Sequence, residues 1–107
     1  MTEYQVIYSP EALDDLKAIY TYIAYELLAE PTARSLTAHI RKEIRALDTL
    51  PERNAPVDWE PWASMNMRKM PVGNFVVYYT VDNEKRSVTV IRIFYGGRDV
   101  ENIVRMQ

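Results

Sequence analysis

The chain has 107 residues, 48% of them apolar and 26% charged, with a formal net charge of −2. That is one domain with enough apolar material for a core. There is no cysteine and a single histidine, His39, which excludes disulfide frameworks, thiolate metal sites, His-rich zinc sites and most Ser/His or Cys/His triads.

The charge is uneven. Residues 1 to 50 carry five Lys/Arg against eight Asp/Glu, residues 51 to 67 one against three, and residues 68 to 107 seven against four. A basic C-terminal part on an acidic body suits an anionic partner. No apolar run approaches the length of a membrane span. The first residues lack a basic segment followed by an apolar one, so no signal peptide and a cytoplasmic location are expected.

Residues 4 to 9, YQVIYS, read as a short strand. Ser9-Pro10-Glu11 reads as a helix start, with Ser9 as cap and Pro10 in the first helical position. Leu13, Leu16, Tyr20, Ile23 and Leu27 follow at helical spacing, and the helix should end near Leu28 or Ala29. Pro31 opens a second helix with a stripe of Ala33, Leu36, Ile40, Ile44, Leu47 and Leu50, which Pro51 stops. So short a break predicts an antiparallel helical hairpin.

Residues 51 to 64 form a long loop with three prolines and two tryptophans, Trp59 and Trp62, expected to pack over the core edge rather than to stand exposed as contacts for a partner. Strands are expected over 65 to 72, 75 to 81 and 87 to 95, joined by turns at Gly73-Asn74 and Asp82-Asn83. Gly96-Gly97 ends the last strand, where a positive φ would turn the chain sharply. Asp99 is placed to cap a short helix over DVENIVRM. The expected architecture is a single α+β domain, β-α-α-β-β-β with a possible terminal helix. The hairpin packs on one face of an antiparallel sheet.

Alternation along 87 to 95 predicts that Val88, Val90, Arg92 and Phe94 share the face away from the helices, because Arg92 has no place unpaired in a core. An apolar face interrupted by a cation suits docking of a partner, or cover by the loop with Trp59 and Trp62 or by the C-terminal helix. No P-loop, paired-carboxylate or metal spacing is present, and no cofactor is expected.

The order of elements, with "YSPEALDDLKAIYTYIA", "PERNAPV" and "VGNFVVYYTVDNEKRSVTVIRIFYGGRD", resembles the RelE/ParE superfamily of bacterial toxins from about Tyr4 to Asp99. The resemblance implies the toxin half of a type II toxin–antitoxin module. A cognate antitoxin encoded by a neighbouring gene would dock on the face of Val88, Val90, Arg92 and Phe94, and operator DNA would be met only through that antitoxin. It also implies one of two targets. ParE-like members block DNA gyrase; RelE-like members cleave mRNA on the ribosome. In the ribonuclease case Arg68, Lys69 and Arg98 would carry the catalytic charge stabilisation. The chain departs from the RelE-like pattern at Val76, where an arginine is usual. It also lacks a clear C-terminal acid/base residue, since Asn102, Ile103 and Val104 stand there. Overall acidity further disfavours binding to RNA. The reading therefore leans to a ParE-like gyrase inhibitor, with a ribosome-dependent mRNA endoribonuclease and a non-toxic interaction module of the same fold as alternatives.

Overall fold

The computed structural model describes residues 3–106. Strand β1 (Gln5–Tyr8) leads into helix α1 (Pro10–Thr21), a π-helical turn (Tyr22–Glu26) and helix α2 (Glu30–Arg45). Strands β2 (Arg68–Val72), β3 (Phe75–Asp82) and β4 (Ser87–Tyr95) and a short helix α3 (Val100–Arg105) complete the chain. The sheet order is β1-β4-β3-β2. β1 runs parallel to β4, and the other neighbours are antiparallel.

Ser9 does more than cap. Its Oγ accepts the N–H of Ala12 at 3.0 Å and donates to the carbonyl of Ile91 at 2.8 Å. The start of α1 is thereby tied to β4. Ala12 and Leu16 are buried, but Leu13 and Leu27, expected on the same stripe, are exposed. The π turn explains Leu27: its N–H reaches back to the Tyr22 carbonyl, five residues away. The extra residue rotates the downstream side chains by about one residue's turn, so the 3-4 spacing no longer points inward. Leu28 then ends the helix at φ +53°. Tyr22 and Tyr25 are also exposed. In α2 the buried side is Ala33, Thr37, Ile40 and Ile44, continued by Leu47. Leu50, expected on that stripe, lies beyond it at φ +47° and is exposed.

One face of the sheet, with Met70, Val72, Val77, Tyr79, Val88, Val90 and Ile93, closes on the two helices as the main core. A β-bulge decides which β4 residues join it. Tyr78 opposes Arg92 and Tyr79 opposes Val90, so Ile91 is an extra residue and alternation shifts there. The expected single face of Val88, Val90, Arg92 and Phe94 is thus broken. Val88 and Val90 are fully buried under the helices, while Phe94 belongs to the opposite face.

That opposite face is not open. Residues of the 51–67 loop and α3 cover it, and Val57, Trp62, Met67, Tyr78, Phe94 and Val100 form a second core. Trp59 stacks on Trp62 at 5.1 Å, and Trp62 lies 4.9 Å from Tyr78. The loop is held by backbone bonds from Val57 N–H to Met67 O and from Lys69 N–H to Ala55 O.

Neither Gly96 nor Gly97 adopts a positive φ; among the glycines only Gly73 does. Close approach explains the pair instead. A Cβ at Gly96 would stand 3.2 Å from the Asn74 carbonyl oxygen, and one at Gly97 would stand 2.7 Å from the Tyr95 ring.

Candidate functional site: the free end of β4

β1 is four residues long and β4 is nine. Beyond Val90, β4 therefore has no strand on that side among the described residues, and α1 runs alongside instead. Asp15 of α1 accepts the Arg92 Nε at 2.7 Å, the Arg92 Nη2 at 2.9 Å and the Ile93 N–H at 2.9 Å. One carboxylate thus neutralises the arginine and caps an edge amide. Hydrogen bonding to Asp15 is also the main cause that holds the Arg92 guanidinium above its ordinary pKa, against partial burial. Arg92, expected on a docking face, is a structural residue with a partner on the helix.

Next to this pair lies a groove of about 260 Å³. Its walls are Ile19 and Tyr22 from the helical side and Phe75, Ile93 and Tyr95 from the sheet, with Arg98 at one end. Tyr22 and Tyr95 are 57% and 53% exposed, more apolar surface than a single stray residue shows. The Arg98 guanidinium lies 5.3 Å from the Phe94 ring centroid, and Arg92 stands 4.3 Å from the same ring. Arg98 has no ion-pair partner among the described residues. Asp99, beside it, accepts the Asn102 N–H and caps α3 as expected.

The three candidate catalytic cations do not converge. Arg68 donates to the Glu52 and Asn54 carbonyls at 3.1 and 2.6 Å, tying down the loop. It opposes Tyr79, whereas Lys69 opposes Tyr78, so the two lie on opposite faces. Lys69 is exposed. Arg98 follows Tyr95, which opposes Phe75. Phe75 is four residue steps along β3 from Tyr79, about 13 Å at the usual strand rise. Val76 is half-buried against the second core. The Tyr78 phenol on the same face is pushed above its ordinary pKa by burial, which suits packing better than proton transfer. His39 is exposed.

Asp15, Ile19 and Tyr22 were not singled out as functional by sequence reasoning. Their spacing of four and three is a helical stripe of its own, overshadowed by the leucines beside it.

A model of the ParE toxin of type II toxin–antitoxin systems matches residues 6–100. The chain belongs to the ParE toxin family. No curated protein matches it significantly. Among solved structures, the chromosomal ParDE system of P. aeruginosa superposes with a TM-score of 0.70 at 19% identity, covering 87% of this chain and 96% of that one. The RelBE2 toxin–antitoxin complex of Mycobacterium tuberculosis gives 0.64 at 22% identity, over 89% and 93%. A doubly substituted E. coli RelE toxin in the free state gives 0.66 at 15% identity, over 99% and 100%. At these identities the likeness is one of fold, shared by both toxin branches. As a ParE-family toxin, the chain is one half of a type II toxin–antitoxin pair. No helix of its described residues is long and apolar enough to cross a membrane.

Proposed function

We propose that this toxin arrests growth by inhibiting DNA gyrase, and that an antitoxin encoded by a neighbouring gene neutralises it. The observation that carries the reading is the second core. The sheet face of Val76, where the RelE-like pattern has an arginine, is filled by Trp62, Tyr78 and Phe94, with Trp59 stacked above. Stabilising a phosphoryl transition state needs cations aimed at one point in a water-poor site. Arg68 is committed to backbone carbonyls, and Lys69 and Arg98 stand at different places on the sheet. The match to the ParE model supports the same direction. Relatives solved as ParDE and RelBE complexes support the antitoxin.

The test is purified toxin in a gyrase supercoiling assay, with primer extension on cellular mRNA after induction run in parallel. Loss of supercoiling without new mRNA ends is expected. Codon-level mRNA cleavage that requires ribosomes, with supercoiling untouched, would falsify the reading and favour the RelE-like alternative that the fold also accommodates.

A further inference from the structure

The charges of the helical hairpin are sorted by face. Glu11 and Asp15 of α1 act on Arg92 of β4, Asp15 through hydrogen bonds and Glu11 through its charge. Lys17 lies on the other flank, in a groove of about 320 Å³ between α1 and α2 that Arg41 also lines. Arg34, Arg41 and Arg45 follow at spacings of seven and four, so they share one flank of α2 in a row about 17 Å long. Arg41 and Arg45 both act on the Tyr8 phenol, against the effect of its burial. All four cations are exposed. Arg34 pairs only with Glu30, one turn away in the same helix. Lys17, Arg41 and Arg45 have no ion-pair partner among the described residues.

Helix polarity explains one of these charges. A cation in the last turn offsets the negative end of the dipole, which accounts for Arg45. It does not account for Arg41, a turn further in, or for Lys17 on the other helix. Nor did the count of charges by segment point here. It placed the basic excess after residue 68, where Arg68, Arg92 and Arg105 are held by Glu52, Asp15 and Glu101. The acidic N-terminal half instead presents a row of exposed cations.

We propose that this face of the hairpin is a phosphate-contact surface for duplex DNA, engaged while the toxin sits on gyrase, whose own substrate is a duplex. The proposal rests on the gyrase reading and adds a second contact to it. Two features favour a polyanion over an acidic amphipathic helix. Such a helix needs apolar anchors at successive turns. The groove offers one, Leu13 at 48% exposed, since Leu16 is buried and Tyr20 half-buried. Three of the four cations are arginines, whose planar fork meets phosphate oxygens two at a time. So few phosphate contacts make a weak, sequence-independent binder, with a Kd of about 10⁻⁴ M at physiological salt. Alone that holds little DNA. On gyrase the duplex stands at an effective concentration on the order of 1 mM, so the contact forms and raises the apparent affinity about tenfold.

The test uses full-length toxin and a labelled random-sequence duplex, titrated by fluorescence anisotropy over a range of salt concentrations. The logarithm of the binding constant should fall linearly with the logarithm of salt, with a slope of about −3, near 0.9 per phosphate contact. Arg41→Gln should reduce that slope by about one, and Arg41→Gln with Arg45→Gln by about two. Lys85→Gln, an exposed change in the turn before β4, should leave it as it is. The substituted arginines are exposed and without ion pairs, so the variants keep the fold, which an unchanged melting temperature checks. In a gyrase supercoiling assay the double variant should need about tenfold more toxin for half inhibition. No duplex binding at low salt, or a slope that the two arginines do not alter, overturns the surface. Equal inhibition by wild type and double variant overturns its use at gyrase and leaves the gyrase reading standing. A toxin that binds the duplex with the expected slope but leaves supercoiling untouched overturns the gyrase reading, and the engagement there with it.

Discussion

Asp15 and Arg92 are 77 residues apart in sequence and share two hydrogen bonds, at 2.7 and 2.9 Å. The pair fastens α1 to the unpaired half of β4. The side chains are only 15% and 23% exposed, so each charge relies on the other more than a surface pair does.

Asp15→Ala should therefore be markedly destabilising. It leaves a half-buried guanidinium and an edge amide without an acceptor, and the expected loss is about 2–4 kcal/mol. Arg92→Met in the same background should recover part of it, because the unpaired charge is then gone. Urea melts of the two singles and the double measure both effects. Additive losses would show that the two residues are not coupled.

The second core should matter as much as the first. Trp62 is 6% exposed and touches both Trp59 and Tyr78. Trp62→Ala should cost about 3–5 kcal/mol, the range for removing a large buried aromatic. Tryptophan fluorescence and thermal melting track the change. A loss below about 1 kcal/mol, the ordinary effect of an unremarkable substitution, would mean that the 51–67 loop is not part of the cooperative fold.

Arg68 and Lys69 should behave differently although they are adjacent. Arg68→Ala frees the Glu52 and Asn54 carbonyls and should cost about 1–2 kcal/mol. Lys69→Ala removes an exposed side chain and should stay within about 0.5 kcal/mol. Chemical denaturation compares them. Under the gyrase reading, Lys69→Ala should also leave growth arrest unchanged when expressed without antitoxin.

Alkaline pH should unfold the protein progressively. Burial raises the phenols of Tyr8, Tyr78 and Tyr79 above the ordinary 10.0. Between that value and the folded one, the unfolded chain has lost the proton and the folded chain keeps it. Stability is then fully present below about pH 10 and falls as pH rises through the folded pKa values. Tyr79 adds a geometric reason, since its hydroxyl donates to the Pro51 carbonyl at 2.6 Å while accepting from Asn54. Tyr78→Phe should shallow the alkaline decline of the melting temperature. An unchanged slope would show that Tyr78 takes no part in it.

Elements whose signals are local can be read directly from the residues. Ser9-Pro10 starts α1 because a cap and a missing N–H act within one turn. Asp99 caps α3 for the same reason, and β-branched runs made β3 and β4 legible. Features that depend on counting across partners are set by how the elements pack together. The bulge at Ile91 exists only in the pairing of β3 with β4, and it moved Val88 and Val90 away from Phe94. The π turn rotated Leu27 out of its stripe. The glycines after Tyr95 answer to the Asn74 carbonyl and the Tyr95 ring, not to a turn. The groove brings Ile19 and Tyr22 from the hairpin to Ile93 and Arg98 at the chain's other end. Periodicity records which side of its own element a residue occupies, but not which element lies across from it, and a site made between elements is set by the latter.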